Sequence, residues 1–126
     1  MWRERAARSG ERIAEEFLVL CGLEIVDRNV RVGRGEIDLV ARERETVVFV
    51  EVKFRTGSAF GGPLAAVSEK KREDVARAAA GWLTRRGLLG RAVRFDVVGL
   101  TWTPGGPELR VEHVPNAYAG GRRQFF

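Results

Sequence analysis

The sequence holds one cysteine, Cys21, and one histidine, His113. A single thiol excludes a disulfide framework and a cysteine-based zinc site. No apolar run approaches the length of a membrane span. The first residues, MWRERAARSGER, lack the apolar stretch of a secretory signal, so the cytoplasm is the expected compartment. There is no internal repeat and no low-complexity tract. Lysine is scarce, with three against nineteen arginines. Base composition of the genome accounts for such a skew, and it makes each position that keeps a lysine worth reading.

What remains is an ordinary globular chain. At 126 residues, 44% apolar and 31% charged, it fits one domain with a real core. The formal net charge is +5, which permits a polyanionic partner without requiring one. Its distribution is more informative. From Lys70 to Arg94 eight basic residues face two acids, and the rest of the chain is near neutral, fourteen basic against fifteen acidic. A cluster of this kind suits phosphate contacts, although a solvated helix face produces the same run.

The hydrophobic pattern predicts seven elements. Ile13, Ala14, Phe17, Leu18 and Cys21 recur at helical spacing, giving a helix from about Arg5 to Cys21 that Gly22 stops. Leu23 to Val30 reads as a first strand, and RVGRGE as a basic turn. EIDLVAR and TVVFVEVKFR are β-branched runs joined by a charged turn, which is a hairpin signal. After the glycine-rich TGSAFGGP, Ser68 is the expected N-cap of a second helix reaching about Arg86, with Val75, Ala79, Trp82 and Leu83 inward. VRFDVVGLTW and ELRVEHV supply two more strands around a TPGGP turn, and NAYAGGRRQFF reads as a terminal arm. The order α-β-β-β-α-β-β places a helix between strands, so a crossover onto a mixed sheet follows, in two or three α/β layers.

The chemistry concentrates in GEIDLVARERETVVFVEVKFR. Strict alternation puts Glu36, Asp38 and Val40 on one strand face, and Val47, Phe49, Glu51 and Lys53 on one face of the next. Glu51 and Lys53 interrupt an apolar run. Burying such charges costs several kcal/mol each unless they are paired or metal-bound. A two-residue turn (Arg44, Glu45) or a four-residue turn (Glu43 to Thr46) sets Asp38 directly opposite Glu51, with Cβ atoms about 4.5–5.5 Å apart. Two carboxylates so placed can hold one hard cation, Mg²⁺ or Mn²⁺. An odd turn would put them on opposite faces. A third carboxylate is sought on the first helix. Glu11 lies about 20° from Leu18 at the edge of the apolar stripe, with Glu15 about 40° further toward solvent as second choice.

GEIDLVA, VVFVEVKFR, SGERIAEEFLVLCG, RNVRVGRGEIDLVA, FGGPLAAVSEKKRED and RFDVVGL together resemble the YraN family of bacterial proteins over about residues 9–118. That family in turn resembles the PD-(D/E)xK nuclease superfamily, with its Holliday-junction-resolvase-like and tRNA-endonuclease-like members. The resemblance implies a restriction-endonuclease-like αβββαβ core, a mixed sheet flanked by helices, with residues 1–118 as a single nuclease-like domain and 119–126 as a C-terminal tail. By motif position Asp38 and Glu51 match the metal-binding acids, Lys53 the catalytic lysine, and Glu11 the helix glutamate of the resolvase-like branch. Ile37 stands where the superfamily's name has a proline.

The function expected on this basis is Mg²⁺- or Mn²⁺-dependent hydrolysis of phosphodiester bonds in DNA, branched DNA included. The alternative is a nucleic-acid-binding module that keeps the fold without cleaving, and a third reading is an adaptor with a structural acidic hairpin. Lys53, beside carboxylates, is expected to keep its charge and to stabilise the phosphorane. Arg31, Arg34 and Arg55 flank the strands, and Lys70, Lys71 and Arg72 open the second helix, as candidate phosphate contacts. The expected partner is nucleic acid, DNA before RNA, with no membrane, and the resolvase resemblance leaves a homodimer open. Three further residues read as structural: Asp96 in an ion pair with Arg94 or Arg110, His113 as a strand residue, and Trp82 as core. Phe54 and Phe60 read as loop anchors before base-stacking platforms.

Overall fold

The computed structural model describes residues 2–56, 68–102, 105 and 108–118. The tail 119–126, Phe60, and most of the TGSAFGGP and TPGGP segments lie outside the described residues. Seven elements follow in the expected order: α1 (Trp2–Leu20), β1 (Glu24–Val32), β2 (Gly35–Glu43), β3 (Thr46–Thr56), α2 (Glu69–Arg86), β4 (Val93–Trp102) and β5 (Leu109–Tyr118). The strands form one sheet in the order β1-β2-β3-β4-β5, with β3–β4 its parallel pair. The αβββαβ order and the helix-flanked mixed sheet are those of a restriction-endonuclease-like core.

Three layers result, because β3 buries both faces. Val47 and Phe49 join Val75, Ala79, Trp82 and Leu83 of α2 in one apolar cluster. Val48 and Val50, pointing the other way, join Ala14 and Leu18 of α1. A strand with two buried faces needs an unbroken apolar run, which is what TVVFV provides. The α1 stripe is narrower than its spacing suggests, since Ile13 and Cys21 are exposed.

The second helix begins where expected. The Ser68 hydroxyl accepts the Lys71 N–H at 3.1 Å, and Gly87 closes the helix in the left-handed conformation (φ 67°), its N–H bonded to the Leu83 and Thr84 carbonyls. Gly35 lets α2 sit close on β2: a Cβ there would lie 2.2 Å from the Asp74 carbonyl oxygen.

Two expectations are corrected. The last strand does not stop at Val114 but runs to Tyr118. The Asn116 N–H donates to Asp96 at 2.8 Å, and the Tyr118 ring stacks on Phe95 with centroids 5.4 Å apart. These contacts hold a segment whose proline and asparagine read as strand breakers. Strict alternation along β2 also fails. Ile37 and Val40, three residues apart, both pack in the α2 cluster, while Leu39 and Ala41 pack in the α1 cluster. Glu36, Asp38 and Val40 therefore do not share one face. The slip falls at Asp38, opposite Asn29 of β1, which has a φ of 50° and drops out of the β1–β2 ladder.

Candidate functional site at the parting of two strands

The turn at Arg44 and Glu45 has two residues, and the β2–β3 ladder runs from Glu43↔Thr46 to Leu39↔Val50. The next pair in that register is Asp38 and Glu51, and there the strands part. β3 itself continues, paired in parallel with β4 as far as Thr56↔Trp102. Among the described residues no strand pairs with its β2-facing edge beyond Val50. Asp38 enters the gap, and its Oδ2 accepts the Val52 N–H at 2.7 Å. A continuing antiparallel ladder would have given that N–H to the backbone at Ile37. The side chain replaces a strand bond and is fixed by it.

Glu51 is 5% exposed. Its Oε1 lies 3.2 Å from Lys53 Nζ and 2.5 Å from Lys71 Nζ. The buried carboxylate thus has the compensation its burial demands, from its own strand and from the first turn of α2. Asp38, in contrast, has no ion pair among the described residues. Burial, and then the charge of Glu51, push its carboxyl up to about 7, against the lowering effect of the Val52 N–H. Glu11 also lies above its ordinary value, through burial and the charges of Glu36 and Glu51.

The lysines shift apart. Burial and the neighbouring Lys71 depress Lys53, although Glu51 opposes them. Burial works against the charge of Lys71 too, but its contact with the Glu51 carboxylate outweighs it and raises the ammonium above its ordinary value. The direction for Lys53 reverses the expectation drawn from the carboxylates alone, because burial penalises its charge and a second cation shares Glu51 with it.

These groups line a cleft of about 480 Å³ together with Arg34, Glu36, Ser68, Lys70 and Asp74. All three lysines of the chain are in it. Glu11 sits apart, in a cleft of about 350 Å³ between α1 and β1 with Arg8, Arg12 and Arg28, within electrostatic reach of Asp38 and Glu51 but not beside them. Glu15 lines the same cleft and is engaged in a forked pair with Arg28.

The basic candidates divide. Arg34, Lys70 and Lys71 line the cleft. Arg31 is exposed, 3.6 Å from Glu36. Arg55 is half-buried on β3. The Arg72 guanidinium lies over the Tyr118 ring, 5.1 Å from its centroid. Lys71 on Glu51 is the contact the local pattern did not show; the retention of lysine in an arginine-rich chain was its one signal.

The structural readings hold. Asp96, fully buried, accepts Arg94 Nε at 2.9 Å and Nη2 at 3.1 Å, with His113 Nε2 at 2.8 Å. Trp82 is core, with its Nε1–H donated to Asp27 at 2.8 Å. Phe54, read as a loop anchor, instead lies within β3 and packs against the α1 cluster.

The oxygen donors of the cleft suit a hard cation in kind. Asp38 Oδ1 accepts no hydrogen bond among the described residues, and its carboxyl is raised first by burial and then by the neighbouring charge of Glu51. Among the described residues no three His, Cys, Asp or Glu side chains are grouped to hold an ion, so the candidate ion site rests on the Asp38 and Glu51 pair.

The profile of the Uncharacterised protein family UPF0102 matches residues 10–100. The chain belongs to this family. A UPF0102 protein of Anaeromyxobacter dehalogenans is 46% identical over 121 residues, covering 96% of this chain and 89% of its own length. One from Geobacter sulfurreducens is 44% identical over 110 residues, covering 86% and 84%. One from Beutenbergia cavernae is 50% identical over 105 residues, covering 83% and 88%. This UPF0102 chain therefore shares most of its length with these relatives. The matched region contains Glu11, Asp38, Glu51, Lys53 and Lys71. Among the described residues no helix is long and apolar enough to cross a membrane.

Proposed function

We propose that this UPF0102 protein is a metal-dependent, nuclease-like hydrolase of phosphodiester bonds in DNA. The observation that carries the reading is the parting of β2 and β3, which collects Asp38, Glu51 and Lys53 in one cleft walled by Arg34, Lys70 and Lys71. The restriction-endonuclease-like order and the likeness of the D…ExK residues to the PD-(D/E)xK motif support it.

Asp38 Oδ1 and the Glu51 carboxylate would hold Mg²⁺ or Mn²⁺, with Glu11 acting through water. When bound, such an ion polarises a phosphate oxygen and lowers the pKa of an attacking water. The Val52 N–H fixes the orientation of Asp38. Lys53, held against Glu51, offers its ammonium to the negative charge that develops on the phosphorane. Arg34 and Lys70 draw the nucleic-acid backbone to the cleft mouth.

A second reading, a nucleic-acid-binding module without turnover, draws on the neutralisation of Glu51 by two lysines. The deciding experiment incubates end-labelled linear, flapped and four-way-junction DNA with Mg²⁺, Mn²⁺ or EDTA, with Asp38→Ala alongside. Metal-dependent cutting that is lost in the variant is the expected result. Binding that weakens with salt, with no cutting of any DNA, favours the second reading. Equal cutting by the variant refutes the site.

A further inference from the structure

The positive charge in the cleft is unevenly placed. Glu51 Oε1 receives both Lys53 and Lys71, while Asp38 receives no cation among the described residues. A dication on either oxygen of this carboxylate would bring three cationic centres within a few ångströms of one another, a strong mutual repulsion. One ammonium has to leave. Lys53 is on the same strand as Glu51, two residues away, and its side chain is 19% exposed. Lys71 reaches in from α2, and its side chain is 39% exposed. Lys71 is the one with somewhere to go.

Residue type points the same way. Nineteen of the 22 basic residues are arginine, yet this position is lysine. A guanidinium would grip a carboxylate with a rigid fork, whereas an ammonium on a flexible stem is a single point charge that exchanges readily. Lys70, one residue earlier, lines the same cleft without an ion pair to Glu51.

We propose that Lys71 is a displaceable counter-ion of Glu51, which occupies the carboxylate in the resting protein and yields it to a divalent cation. The proposal rests on the metal-dependent reading above. It makes Lys71 a positioning residue rather than one that acts on the substrate: it keeps a buried carboxylate neutralised and ordered until an ion enters.

The test is calorimetric titration of Mn²⁺ into the intact protein without nucleic acid, for wild type, Lys71→Gln, Lys71→Arg, Lys70→Gln and Asp38→Asn. Lys71→Gln is expected to bind Mn²⁺ about tenfold or more tightly than wild type, the scale of one lost hydrogen bond between charged groups. Lys70→Gln, which removes the same charge from the same cleft, is expected to change affinity by about threefold or less. Lys71→Arg binds no more tightly than wild type, and Asp38→Asn loses saturable binding. If Lys71→Gln changes affinity no more than Lys70→Gln while Asp38→Asn still abolishes it, the counter-ion role is overturned and the metal site stands. If no form binds Mn²⁺ saturably, both are overturned.

Discussion

Asp38→Asn is expected to stabilise the protein at pH 8.5. The native carboxyl titrates at about 7, against an ordinary value of 3.8, chiefly because it is buried and also because it stands beside Glu51. Between those two values the native chain retains a proton that the unfolded chain has released. Unfolding therefore releases protons in this window, and stability falls as pH rises through it. The contribution of Asp38 is neutral below about pH 4 and is fully unfavourable about one unit above 7. At about 1.4 kcal/mol per pH unit, the gap corresponds to at most about 4 kcal/mol. Solvent reaching the half-buried group screens part of this, leaving about 2–3 kcal/mol.

Asparagine removes the charge and keeps an oxygen for the Val52 N–H. Urea unfolding, followed by the fluorescence of buried Trp82, should show nearly equal stabilities for the two proteins at about pH 4, with the variant already ahead by about 1 kcal/mol at pH 5. At pH 8.5 the variant should be ahead by about 2–3 kcal/mol. Millimolar Mn²⁺ at pH 8.5 should then raise the stability of wild type and leave the variant unchanged, since only an ion-binding native state gains from mass action. A variant no more stable than wild type at pH 8.5, with the same pH slope, would refute the claim that Asp38 is an under-compensated acid.

Two packing predictions test the frame around the site. Asp96→Ala removes the acceptor shared by Arg94, His113 and the Asn116 N–H, leaving Arg94 only its pair with Glu43, and urea unfolding should report a loss of about 3 kcal/mol, the lower end for broken buried ion pairs. Gly35→Ala drives a Cβ to 2.2 Å from the Asp74 carbonyl oxygen. It should lower the thermal midpoint through a loss of about 1–3 kcal/mol or more, and because Asp74 lines the cleft it should also weaken Mn²⁺ binding.

The hairpin was readable because its information is local. Two apolar runs and a two-residue turn fix which residues oppose each other, and the ladder through Leu39↔Val50 is the one that the turn length dictates. The helix limits at Ser68 and Gly87 were readable for the same reason, since a hydroxyl and a left-handed glycine act on their own neighbours. The slip at Asp38 was not. It depends on Asn29, a residue of another strand, whose φ of 50° no alternation rule contains. The meeting of Lys71 with Glu51 depends on how α2 is rotated over the sheet, which is settled by Val75, Ala79, Trp82 and Leu83 packing on Val47 and Phe49. The last residues of β5 depend on Asp96 and Phe95, some twenty positions away.

The topology explains why charges interrupt an apolar strand at Glu51 and not sooner. Up to Val50, β3 is paired on both sides, by β2 and by β4, and both its faces are covered by helix clusters. A charge there would have neither water nor a partner. Beyond Val50 the β4 pairing continues and keeps the strand straight, but the β2 edge opens. That opening admits Asp38 to the Val52 N–H and gives Lys71 a line to Glu51. The same backbone feature therefore makes the charges tolerable and brings them together. A rigid strand with one free edge can hold a carboxylate pair in place while leaving one side of it open to an ion and a phosphate, and a fully paired strand could do neither.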